Sequence, residues 1–270
     1  MILTATSMAS ATSIVGNVGD DVAFNQYMNS LGVPGFQTPS VDYSYEMFAP
    51  QGRIGNNLST AGGENEIGLH VNDAPLNTPP TSSAPLTAAE GSIQLAWGSA
   101  GFSNTLFDFE LKRVGIRISF RMWTGSTTLY RAEFENANND DVTLLGLRTR
   151  STASATTSAS RVRLTNLSLV TSYGTLSLPE SAAYDTSNDG VSPVSNVVVK
   201  DILGDFALTG QTSMDWTGSA LSRSAMAWQI KGFYGVPEGD VNTPEPSSMM
   251  LIGGSLAGIL LTLARRRNAL

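Results

Sequence analysis

The sequence predicts an all-β protein: an antiparallel β-sandwich or jelly-roll-like domain, with a short N-terminal helix and a single C-terminal transmembrane helix. Three observations predict it. From Ser92 onward, apolar and polar residues alternate in short runs separated by turn residues, the pattern of strands packed on one face. Of 270 residues, 41% are hydrophobic and only 14% charged, with Ser, Thr, Gly and Asn abundant; that mixture fills a core and leaves polar, uncharged faces. Finally, a charge-free run from Met249 to Ala264 precedes Arg265, Arg266 and Arg267.

In chain order, residues 1–11 read as the remnant of a signal peptide. Met1 to Met8 is mildly apolar, and Ala9-Ser10-Ala11 is an A-x-A cleavage pattern. A start codon chosen inside the signal sequence would explain the missing basic start. Residues 12–91 form the N-terminal part of the β domain. Asp20 to Leu31 is expected to be helical, capped by Asp20 or Asp21, with Val22, Phe24, Tyr27, Met28 and Leu31 near helical spacing and Gly32 and Pro34 as the stop. Gly35 to Gly68 reads as irregular or edge-strand structure. Asp73 to Gly91, with Pro75, Pro79, Pro80 and Pro85, reads as a loop.

Residues 92–235 form the sandwich core. Ile93, Leu95 and Trp97 share one face. Phe107, Phe109 and Leu111 point inward, against Asp108 and Glu110 outward. After a turn near Arg113 to Gly115, Ile116, Ile118, Phe120 and Met122 point inward, while Arg117, Ser119 and Arg121 point outward. Outward acids on one strand can then face outward arginines on the next. Further strands are expected at Thr127–Glu135, Val142–Arg150, Arg161–Val170, Val194–Ile202, Asp205–Trp216 and Ala225–Tyr234. The apolar phase slips between Leu164 and Leu167, which predicts a bulge. The small-residue tract Ser151 to Ser160 reads as a loop. Residues 236–243 are a linker.

Residues 244–270 carry the anchor. As a helix, Met249 to Ala264 is roughly 24 Å long, a minimal span for a bilayer core of about 30 Å, helped by local thinning and snorkelling arginines. Positive-inside asymmetry keeps the arginines cytoplasmic and the domain on the far side. Pro244 and Pro246 hold the chain extended before the span. Pro244-Glu245-Pro246, the apolar run and the Arg265–Arg267 cluster, in that order, resemble the PEP-CTERM sorting domain. The resemblance implies a membrane-embedded exosortase as a transient partner, which recognises and cleaves the tail of a membrane-held precursor. The sorting residues it implies are Pro244, Glu245, Pro246, Arg265, Arg266 and Arg267.

A second resemblance runs from Ser92 to Phe233. It rests on Leu147-Arg148-Thr149-Arg150-Ser151 with the Ser/Thr tract, Leu164-Thr165-Asn166-Leu167, Asp205 to Gly210, Trp216-Thr217-Gly218 and Ala227 to Lys231. These segments look like the choice-of-anchor W domain, an exported domain of unassigned activity joined to one of several anchors.

Composition narrows the function classes. A net charge of −7 argues against nucleic acid as a partner. With no cysteine there is no disulfide frame, thiolate nucleophile or Cys-ligated zinc. The single histidine, His70, has no G-x-S-x-G serine elbow near it, so a strand-end histidine is the better reading than a catalytic triad. Asp185 to Gly190 has oxygen ligands at alternate positions like the start of a calcium loop, but Asn196 stands where a bidentate Glu is needed; an Asx/Gly turn is the better reading. Asn136 to Asp141 reads as a solvated hairpin loop.

Asp108/Glu110 and Glu133/Glu135 lie about 7 Å apart on single sheet faces, permissive for glycoside hydrolysis but common in any sheet. Trp97, Trp123, Trp216 and Trp228 read as core. No cofactor or metal site is expected. The expected function is therefore a non-enzymatic, exosortase-processed protein of the cell surface or extracellular matrix, working in the envelope or exopolysaccharide of a biofilm. The alternative is a carbohydrate-binding or carbohydrate-active protein on the same sandwich.

Overall fold

The computed structural model describes residues 12–31, 46–54, 66–71, 92–95, 97, 105–136, 141–152, 157–186, 193–218 and 226–234. All lie in the first of two compact units, Met1–Pro237 and Glu238–Leu270. The signal-peptide remnant, the loop at 73–91, the linker and the expected span at 249–264 lie outside the described residues. Among the described residues, no helix is long and apolar enough to cross a membrane.

One helix, α1 (Asp21–Ser30), and fourteen strands are described. The first sheet contains β1 (Ser13–Gly19), β2 (Glu46–Ile54), β3 (Glu66–Val71), β4 (Ser92–Gln94), β8 (Val142–Arg150), β12 (Val194–Lys200) and β14 (Met226–Tyr234), in the order β1-β12-β8-β14-β2-β3-β4. The second contains β5 (Phe107–Val114), β6 (Arg117–Thr124), β7 (Thr127–Glu135), β9 (Thr157–Thr171), β10 (Gly174–Ser177), β11 (Ser181–Asp185) and β13 (Phe206–Gly218). Its order is β10-β9-β13-β5-β6-β7, with β11 on β9 beyond β10. Every strand pairing is antiparallel.

The inward faces of the two sheets form one core. At its centre Phe109 of β5 stacks on Trp228 of β14, with centroids 6.3 Å apart and planes 17° apart. Trp97 meets Trp228 edge-on at 6.2 Å. This pair lies against Gly52 of β2, where an added Cβ would stand 2.6 Å from both indoles. Only glycine leaves room there.

A second, smaller core lies on the outer side of the first sheet. Phe24 and Met28 of α1 pack on Leu144, Val198 and Phe233. β8, β12 and β14 are thus covered on both sides, which is why they read as near-continuous apolar runs. Asp20 caps α1, its carboxylate accepting from the Ala23 N–H at 2.9 Å.

The expected strands from Phe107 onward and the helix are present. The bulge is present too: Thr209 faces Ser168 and Gln211 faces Thr165, so Asn166 and Leu167 oppose Gly210 alone. Asn166 sits at φ 51°, a left-handed conformation that asparagine tolerates better than most residues.

Several expectations are corrected. β2 is not an edge but the partner of both β14 and β3. Pro50 disguised it, since proline lacks the N–H that a central strand donates; the β2–β14 pairing is interrupted between Gln51 and Phe48. β1, β10 and β11 are further strands that were not expected. The Ser151 to Ser160 tract is partly strand: β9 begins at Thr157. Ser151 Oγ donates to Ser160 Oγ at 2.8 Å, and both residues are buried. Ile116 does not point inward; it is 41% exposed in the turn between β5 and β6.

Candidate functional site

Sequence reasoning points to two places, the tail and the faces of the sandwich. The six sorting residues Pro244, Glu245, Pro246, Arg265, Arg266 and Arg267 lie outside the described residues. What the described residues offer is the outer face of the second sheet.

That face carries a polar row because outward positions of β9, β13, β5 and β6 lie beside one another. Gln211 faces Asp108, and Asp108 faces Trp123. Asn166 Nδ2 donates to Gln211 Oε1 at 2.7 Å, and Gln211 Nε2 donates to Asp108 Oδ1 at 2.9 Å. The bulge at Asn166 brings that amide into the row. Trp123 ends the row with the Arg121 guanidinium 4.5 Å above its ring, within cation–π range. Trp123 is therefore not core; it is a half-buried tryptophan on the outside of the sandwich. Trp97 and Trp228 are buried, and Trp216 packs partly buried against the core.

The paired acids are engaged by neighbours. Glu110 lies 3.4 Å from Arg121 Nε. Glu133 lies 3.9 Å from Arg117 and 3.5 Å from Arg131. Glu135 accepts from Arg117 at 3.0 Å, and the two glutamates beside it raise the Arg117 guanidinium above its ordinary value, chiefly through the hydrogen bond with Glu135. These exposed pairs set register more than they stabilise. The expected match of outward acids with outward arginines is met by Glu110 and Arg121, which face each other directly.

The other candidates resolve differently. His70 lies in β3 opposite Ala49. Asp185 is buried at the end of β11, opposite Ser160. Asn196 is also buried, and its Nδ2 donates to Gly19 O at 3.1 Å and Asp21 Oδ1 at 3.4 Å. It braces the entry to α1. Residues 187–190 lie outside the described residues. Of the acidic stretch Asn136 to Asp141, Asn136 is buried and donates its N–H to Ile116 O at 2.8 Å. Asp141 pairs with the buried Arg113 at 2.6 Å. Both ends of that stretch are structural.

Sequence reading missed a polar ladder across the first sheet. Asn196, Arg148, Gln229 and Gln51 fall in one register row over four strands. Arg148 Nε and Nη2 donate to the two Asp21 oxygens at 2.7 and 2.6 Å. Arg148 Nη1 reaches Gln229 Oε1 at 3.4 Å, and Gln229 Nε2 donates to Gln51 Oε1 at 3.0 Å. Burial alone would raise the Asp21 carboxyl, but hydrogen bonds and charge from Arg148, with Asn196 and Lys231, hold it below the ordinary aspartate value. The four partners are distant in sequence, so no local pattern marks them.

Comparison with known proteins bears on the tail. No curated protein matches the chain. Residues 242–267 match the family model of the PEP-CTERM protein-sorting motif; the match implies exosortase as the processing partner and a membrane-anchored precursor released to the cell surface or beyond.

Proposed function

We propose that this protein is a non-enzymatic surface or matrix component, exported as an anchored precursor and processed by an exosortase, that works in the envelope or exopolysaccharide of a biofilm. The sorting motif at 242–267 is the single observation that carries the reading. The paired acids stand on an outer sheet face beside arginines of their own and neighbouring strands, an arrangement that fits a register role. The resemblance of Ser92–Phe233 to the choice-of-anchor W domain belongs to the same proposal. Mass measurement of the protein recovered from the cell surface tests it. Loss of the mass of the tail is the expected result; an intact tail on a cytosolic protein would sink the proposal.

One observation favours a second reading. A half-buried Trp123 in line with Asp108, Gln211 and Asn166 is the kind of aromatic and polar row that can hold a sugar chain, apolar ring face and hydroxyls together. Retention on a panel of polysaccharides, compared between the protein and its Trp123→Ala variant, separates the two readings.

A further inference from the structure

The described domain begins and ends at the same end of the sandwich. Ser13 at the start of β1 faces Lys200, and Thr12 Oγ1 donates to Asp201 O at 3.2 Å. Tyr234 at the end of β14 faces Val142. The second sheet closes on this end through Arg113, whose Nη1 reaches Asp141 Oδ1 at 2.6 Å and Gly204 O at 3.2 Å. Gly115 N–H donates to Asp205 Oδ1 at 2.7 Å. The β5–β6 turn, the β9–β10 turn and the Asp201–Asp205 connection therefore share one tip with the point where the chain leaves the domain.

That tip gathers apolar side chains. Among the described residues, eight large hydrophobics are exposed. Five of them, Ile14, Val114, Ile116, Val170 and Tyr173, lie at this end or within two residues of it. Of the other three, Leu106 and Tyr184 lie toward the opposite end and Val22 lies on α1. Three cations at the tip are paired with acids, and Asp205 adds a fourth acid. Arg113 pairs with Asp141, Lys200 with Asp201 and Arg117 with Glu135.

We propose that this tip, centred on Val114, Ile116 and Tyr173, rests on the lipid surface while the precursor is still anchored, and that tail removal releases it. The proposal depends on reading the tail as the precursor's membrane anchor. The 14 residues 235–248 connect Tyr234 to the start of the apolar run. Fully extended they could not exceed about 50 Å. A covalent tether of that reach raises the effective concentration of the tip at the membrane. A few exposed apolar side chains bind lipid too weakly to act from solution. Tethered, they suffice, and the contact disappears with the anchor.

The test uses the full chain in phosphatidylglycerol-containing vesicles. With no native cysteine, the exposed positions can be labelled singly as Ile116→Cys, Tyr173→Cys and, in the β6–β7 turn at the opposite end, Ser126→Cys. The expected result is that a lipid-attached quencher dims the fluorophore at 116 and 173 about twofold or more relative to 126. Adding Val114→Asp and Ile116→Asp should return the label at 173 to the level at 126, with the thermal unfolding midpoint unchanged. Equal quenching at all three positions overturns the proposal, as does quenching at none while the chain stays with the vesicles. A chain that washes off the vesicles in carbonate overturns the anchor reading and this proposal with it.

Discussion

Asp21 and Arg148 meet through two hydrogen bonds, 2.7 and 2.6 Å long, across 127 residues of sequence. The pair joins the first turn of α1 to the middle of the first sheet, beside the small core of Phe24 and Met28. A carboxylate in the first turn of a helix is also favoured by the helix dipole.

Acid should loosen this junction. The folded-state pKa of Asp21 is depressed, so its contribution to stability is fully present above the unfolded value of about 3.9 and is lost as pH falls through the folded value. The Asp21 side chain is about half exposed, so the effect is held to about 1 kcal/mol or less. Asp21→Asn should lower stability by a similar amount near neutral pH and flatten the acid limb. Denaturant melts of both forms between pH 3 and pH 7 measure it; parallel curves would refute the assignment.

Gly52→Ala should destabilise the domain by about 1–3 kcal/mol, because the added methyl meets two fully buried indoles in a packed interior. The same change should shift tryptophan emission, since Trp97 and Trp228 must move. Urea unfolding followed by fluorescence reads both quantities together.

Trp123→Ala should cost little stability, about 1 kcal/mol or less, since the ring lies outside the core and mainly loses its Arg121 contact. If the outer row holds a polysaccharide, retention on that polymer falls about tenfold, equivalent to about 1.4 kcal/mol. Unchanged retention removes the second functional reading.

Replacement of Glu245 by alanine should leave the precursor uncut, with the tail still present in its mass. Replacing Arg265, Arg266 and Arg267 together should do the same or disturb orientation, because the positive-inside signal is lost. Denaturant unfolding of the domain serves as the control for both changes.

The sequence by itself determined the strands from Phe107 to Tyr234 other than β10 and β11, the helix α1 and the sorting tail. Each is written locally: alternation marks a strand with one buried face, Asp20 marks a helix start, and a proline-bracketed acid before an apolar run marks the tail. Even the bulge was legible, because two adjacent residues opposite one shift the apolar phase from Leu164 to Leu167.

Tertiary structure alone decided the rest. β2 was hidden because Pro50 and Gly52 interrupt its strand pattern; the fold uses Gly52 to seat Trp97 against Trp228. Trp123 looked like any other tryptophan until strand register put it outside. The ladder from Asn196 to Gln51 and the shared tip of Thr12, Arg113 and Tyr234 come from strand order, which brings together residues far apart in the chain. Local periodicity reports which face a residue prefers; it carries no record of which strand will lie beside it.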